Sequence, residues 1–402
     1  MHVLVAAAAG CYHPNADVAC AVSCENGAAC PGALECGPDQ LCRAHGAPPC
    51  TAIGSDAGAC YGHLGITICA PAVDGDVTPT QQIDTGNCQQ TITDISGQKL
   101  CLISGTSITL APGLTRASGS HPLVLFAALD IRIPAGSALD VSSHLGQPST
   151  GPAANDASCP HVDGMGSSTI GGGGGAGGSF RALPELGGSG GTGSSPSSIT
   201  AAGVPQAFAG PITALRGGCP GGNGGNHASP LGVGGASGGA VYLLAGHAIS
   251  IGGTIDASGA GGVGGPATPT SAGGGGGGGA GGFVVFDAMS TNITGTVIAL
   301  GGGGGGGGSV DTTSTLFVGA SGGDPDVIFP TTAASAGIGG NPNAGNGGVG
   351  SIMDGAGGNA SNAAVGASRL DGGGGGGGGG GHIYIYGNGV VTGPVAPAVE
   401  TP

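Results

Sequence analysis

Thirteen cysteines hold most of the reactive chemistry of this chain. Eleven fall between Cys11 and Cys101, while Cys159 and Cys219 stand alone further on. Cys20, Cys24, Cys30, Cys36, Cys42 and Cys50 follow one another at spacings of 4, 6, 6, 6 and 8 among Pro, Gly, Asn and Asp. Such a stretch is too short to bury a core, so three disulfides of about 2–4 kcal/mol each are its expected source of stability. Spacing does not choose among the pairings. A zinc site is the weaker reading, because no C-x-x-C pair and no H-x(3–5)-H spacing occurs. Further on, Cys60 with Cys69 and Cys88 with Cys101 are the expected local bridges, and Cys159 with Cys219 would close a long loop.

Carboxylates are the other groups able to do chemistry. Asp130, Asp140, Asp256 and Asp287 lie in strand-like segments, and Asp140 and Asp256 occupy equivalent places in a repeat. If the repeats stack, those two come close, and paired carboxylates are what a polysaccharide lyase or hydrolase uses for acid–base work. Basic partners are not visible beside them, so a solvated polar ladder is the expectation. Asp74 with Asp76, and Asp324 with Asp326, could each help hold calcium, but turn aspartates explain them more simply. G-x-S-x-G at Gly187–Gly191, Gly235–Gly239 and Gly319–Gly323 arises wherever a serine falls in glycine, without the strand-to-helix turn of a nucleophile elbow. Ten histidines are scattered with no i, i+4 pair, and no calcium nonapeptide occurs in register. No catalytic residue, metal or cofactor is therefore expected.

The chain has 402 residues, of which 98 are glycine; charged residues are 7% and hydrophobic ones 39%. Prolines are too few and irregular for collagen, and the low charge opposes simple disorder. One lysine and six arginines face 22 acidic residues, for a net charge of −15. That balance lacks the basic patch that nucleic acid requires and disfavours an anionic membrane surface. No stretch of about 20 residues is continuously apolar, so no spanning helix is expected.

Four segments repeat one pattern: Pro122–Ile133 with Gly136–Ser142, Gly239–Ile251 with Gly253–Gly259, Gly282–Ile293 with Gly295–Leu300, and Gly381–Tyr386 with Gly389–Val391. Each reads strand, break, strand, glycine turn, strand. Units of this size cannot bury their own apolar face and imply stacking. The expected class is all-β: an interrupted parallel β-helix or solenoid, with an antiparallel β-sandwich as the alternative. Glycine-rich excursions (147–238, 263–281 and 305–380) separate the copies. Two readings are open for them: flexible loops, which glycine entropy favours, or packed, three-per-turn helices of the polyglycine II type, in which missing Cβ atoms allow backbones to meet.

The pattern G-G-x-[IV]-x-[LIF]-x-A…I-x-I-x-G-x-I-x-A-x-G resembles rungs of right-handed parallel β-helices in bacterial surface haemagglutinin-like proteins. Met1–Gly10 is apolar, ends in small residues and stops at Cys11, which resembles the tail of a bacterial lipoprotein signal peptide. Cys11 would then carry the lipid, leaving twelve cysteines for six bridges. The whole layout resembles the glycine-rich surface lipoproteins of myxobacteria. The resemblance implies residues 1–10 as a leader remnant, 11–72 as a disulfide module, 73–146 as strands with the first rung, and 147–402 as the glycine-rich interrupted β-helix. It further implies an extracytoplasmic protein at the outer membrane or cell surface, lipid-anchored or else secreted. The expected role is structural or adhesive and non-enzymatic, with a surface glycan or protein as ligand; the alternative is a polysaccharide-degrading enzyme.

Overall fold

Alternating apolar residues bounded by glycine favour strands whose successive side chains face opposite sides. The computed structural model describes residues 34–36, 42–45, 60–63, 66, 68–69, 73, 75–94, 96–160, 162–167, 170–180, 186–195, 198–206, 212, 214–225, 231–328, 331–352, 355–365 and 370–401. The chain is all-β, and among those residues the one helical turn is the 3-10 segment Thr85–Asn87.

Five copies of a strand triplet run through it, one more than the repeat pattern predicts. First strands are Lys99–Gly105, Leu123–Ala127, Ala240–Ala245 and the leading halves of Phe283–Ile293 and His382–Val391. They pair in parallel, so that Leu102, Val124, Tyr242, Val285 and Tyr384 form one column. Second strands pair likewise, with Ile133, Ile251, Ile293 and Val391 in register. Third strands are Gly113–Ser118, Ser137–Asp140, Thr254–Asp256, Thr296–Ile298 and Val395–Ala396, again parallel. The additional copy is Lys99–Ser118, whose Leu-Thr-Arg-Ala-Ser ending (114–118) matches the position of Ala-Leu-Asp-Val-Ser (138–142). Antiparallel Thr91–Thr93 covers its outer edge.

Register decides which side chains meet. Leu125, Leu243, Phe286 and Ile385 face the main core together with Leu139, Ile255 and Val297. The opposite face of the first strands is buried too, because Ile66, Ile68, Phe180 and Leu215 cover it and form a second core with Tyr242, Phe283 and Tyr384. Burying each such side chain contributes about 1.5–3 kcal/mol.

The glycine excursions are ordered wherever they are described. In the run 273–282 the amides of Gly273, Gly276, Gly279 and Gly282 donate to Pro266, Val263, Ala260 and Ala257. Those of Gly274, Gly277 and Ala280 donate to Gly225, Gly222 and Cys219, and those of Gly275, Gly278 and Gly281 to Gly373, Gly376 and Gly379. Every third residue thus turns to the same neighbour. The run 372–381 repeats the arrangement, with Gly373, Gly376 and Gly379 donating to Gly172, Gly175 and Gly178. Only glycine permits this approach: a Cβ on Gly278 would overlap the carbonyl oxygen of Gly302, and one on Gly375 that of Gly276. Backbone pairing in three directions offsets the entropy that favours a loose chain, so the flexible-loop expectation does not hold here. Asparagine closes the rims, where Asn359 and Asn362 accept the amides of Ser189 and Thr192.

Two expected disulfides are present, Cys88–Cys101 and Cys159–Cys219. Cys36 is disulfide-bonded, and its backbone lies opposite Cys42 in a hairpin. Cys60 and Cys69 are likewise opposite in an antiparallel pair. Cys11, Cys20, Cys24, Cys30 and Cys50 lie outside the described residues. Among those described, no helix is long and apolar enough to cross a membrane.

Candidate functional site

The parallel register of the third strands stacks Arg116, Asp140 and Asp256 in one column. The expected pairing of Asp140 with Asp256 is therefore met at the backbone, but the expected absence of basic partners is wrong. Arg116 Nε donates to Asp140 Oδ2 at 2.8 Å, and His144 Nε2 lies 3.1 Å from the same oxygen. Both cations were hidden for a simple reason: Arg116 belongs to the unrecognised copy, and His144 sits in the turn that leaves the second. Aligning Leu-Thr-Arg-Ala-Ser (114–118) with Ala-Leu-Asp-Val-Ser (138–142) is the signal that finds Arg116.

Asp140 is almost wholly buried. Ser142 donates both its amide, at 3.0 Å, and its hydroxyl, at 2.5 Å, to Oδ1. Burial resists ionisation of Asp140, yet the bonds from His144 and Ser142 outweigh it and lower its pKa to about 2. The bonds of His144 to Asp140 and then Asp324 push the imidazole up to about 10 against burial. Its Nδ1 lies 3.6 Å from Asp324 Oδ2. Asp324, expected only as a turn residue, accepts from Leu145 N at 3.0 Å and Gly261 N at 2.8 Å. Burial raises Asp256 to about 6; its Ser258 bond opposes this, and the charge on Asp140 adds to it.

The cluster ties the strand stack to the third excursion, since Asp324 on that excursion holds His144 and Leu145, just ahead of the first, and Gly261, just ahead of the second. With four donors around Asp140, its oxygens are engaged rather than presented to a substrate. The arrangement is chemically a clamp.

Other singled-out residues are separate. Asp130 pairs with Arg132 at 2.7 Å and His247 at 2.8 Å. Asp287 is buried and accepts from the Tyr242 hydroxyl at 2.7 Å, with His63 Nδ1 at 2.8 Å; the His63 ring stacks on Tyr386. Sequence reasoning missed His63 and Tyr242, which meet only because the segment near Ile66 folds over the first strands. Asp76 is exposed, Asp326 accepts from Ile328 N as in a turn, and Asp74 lies outside the described residues. Of the G-x-S-x-G serines, Ser237 is buried with its hydroxyl accepting from Asn155 N, and Ser321 accepts from Gly264 N. Among the described residues no group of three or more His, Cys, Asp or Glu could hold a metal ion. The two disulfides favour an oxidising, extracytoplasmic setting.

Comparison of the chain with protein-family models, curated proteins and solved structures finds no match.

Proposed function

We propose that this chain is a non-enzymatic structural or adhesive protein of the cell surface, tethered through a lipid on Cys11. Its stacked triplets are read as a right-handed parallel β-helix, and its glycine runs as a polyglycine II-type bundle carried on that helix. The observation that carries the reading is the three-directional backbone lattice of the excursions. Such a lattice is stiff because each run is held by several neighbours, and it has almost no charge to titrate. Ile338, Val318, Val349 and Val263 project from it into solvent, which gives it an apolar outer face for contact. The tether rests on the resemblance of Met1–Cys11 to a lipoprotein leader end. Mass spectrometry of the native protein tests the reading: an acyl group on Cys11 with the remaining cysteines oxidised is the expected result. Free Cys11 with reduced thiols throughout would overturn it.

A second reading, a polysaccharide-degrading enzyme, is favoured by one observation. Asp140 and Asp256 lie directly opposite each other on neighbouring third strands, the paired-carboxyl arrangement that such chemistry uses. Assay on plant and microbial polysaccharides decides it, since turnover abolished by both Asp140→Asn and Asp256→Asn would establish the enzyme and remove the structural reading.

A further inference from the structure

Cations are scarce in this acidic chain, so their grouping carries information. A cavity of about 610 Å³ lies where the first strand of the first copy begins, lined by Gln98, Lys99, His121, Asn155, Asp156 and Arg216 among others. Lys99 is the single lysine of the sequence. Two of the seven Lys and Arg residues and one of the ten histidines thus meet at one opening. Arg116 and Arg132, by contrast, are each spent on an aspartate.

The walls are built rather than incidental. Gln98 is pinned from both ends of its amide, donating to Leu215 O at 2.6 Å and accepting from Leu215 N at 3.1 Å. Arg216 is almost wholly buried, lies 4.4 Å over the Phe180 ring, and donates to Phe180 O at 2.7 Å and Gly217 O at 3.0 Å. The Cys159–Cys219 disulfide links the segments carrying Asp156 and Arg216. Lys99 and His121 make no hydrogen bond or ion pair among the described residues, so their polar ends are available to a ligand. Arg216 contributes only a buried charge behind the wall, so the exposed Lys99 is the one permanent cation at the surface of the opening, which suits a monoanion better than a phosphate dianion. The opening is wide and shallow, which suits one residue of an extended chain lying across it better than an enclosed small molecule. Ser120 adds a hydroxyl suited to sugar hydroxyls, while Asn155 is fixed in the wall by accepting from Ser237 N at 2.9 Å.

We propose that this cavity binds a uronate residue of an acidic polysaccharide, with Lys99 and His121 on the carboxylate. The inference rests on the adhesive reading for its biological sense, and supplies the ligand class that reading leaves open. It does not depend on the lipid tether.

The test is calorimetric titration of the purified full chain with a galacturonate trimer, a neutral galactose trimer, and sodium acetate as free anion. Trimer binding should weaken about tenfold or more in Lys99→Gln and in His121→Gln, each such factor being about 1.4 kcal/mol. It should also weaken in high salt, and the neutral trimer should bind at least about tenfold less tightly. Thermal unfolding of Lys99→Gln should match the parent, since Lys99 is exposed, and that of the half-buried His121→Gln should stay within about 1 kcal/mol of it. No heat with the galacturonate trimer, equal binding in both variants, or equal affinity for acetate and trimer would each overturn the assignment. Equal binding in the variants would leave the adhesive reading standing on another surface, whereas reduced thiols and a free Cys11 would remove that reading without touching the titration.

Discussion

Replacing Gly278 by alanine gives opposite results in an ordered lattice and in a flexible loop. In a loop, alanine restricts the unfolded chain and stabilises the protein by about 0.4–1 kcal/mol. In the fold described above, the new Cβ meets the carbonyl oxygen and carbon of Gly302, which are backbone atoms that cannot rotate aside. Forcing a packed interior apart costs about 1–3 kcal/mol. The shift also strains two bonds at this residue, from its amide to Gly376 O at 2.8 Å and from Gly178 N to its carbonyl at 2.8 Å. Each contributes about 0.5–1.5 kcal/mol. The expected loss is therefore about 3 kcal/mol, with Gly375→Ala behaving alike. Gly252→Ala is the control, because its Cβ would come no closer than 3.3 Å to another atom, and it should stay within about 1 kcal/mol of the parent. Scanning calorimetry of the oxidised protein reads all three. A Gly278→Ala protein as stable as the parent, or more stable, would refute the packed lattice.

Further predictions concern the bridges and the clamp. Cys159→Ser with Cys219→Ser should lower stability by about 4 kcal/mol, the loop-closure value for a separation of 60 residues, read by denaturant titration. Asp256 has its folded pKa raised to about 6 above the usual carboxyl value of 3.8, so stability should fall as pH rises from about 4 to 6. Asp256→Asn should flatten that slope in a pH series of melting temperatures, gaining on the parent at pH 7 by up to about 3 kcal/mol. His144 has its folded pKa raised from 6.5 to about 10, so its contribution is full below pH 6.5 and lost as pH rises through 10; His144→Ala should remove that alkaline limb.

Strand periodicity and glycine turns made the all-β class and four of the triplets legible, because a parallel stack demands the same residue type at each level. The copy at Lys99–Ser118 is harder to read because its third strand carries Thr115-Arg116 where the second and third copies have Leu139-Asp140 and Ile255-Asp256, although its Pro112-Gly113 turn matches Pro134-Ala135-Gly136. Cys88–Cys101 and Cys159–Cys219 were legible from spacing and position. The clamp was only half visible. Asp140 and Asp256 follow from repeat position, whereas Asp324 reaches them from far along the chain, and no local pattern encodes that contact. Composition alone left the glycine runs undecided, because a run of glycines is compatible with both a loop and a lattice. What distinguishes them is that every third amide of a run finds a carbonyl on the same neighbouring run, which is a property of the assembled chain.

Amide hydrogen exchange of the glycine runs tests the central claim most directly. Amides of Gly173–Gly178, Gly274–Gly281 and Gly372–Gly379 should exchange as slowly as those of the core strands Leu123–Ala127 and Ala240–Ala245, since each donates to a backbone carbonyl of a neighbouring segment. Exchange at the rate of an unstructured peptide, with those strands still protected, would contradict the account.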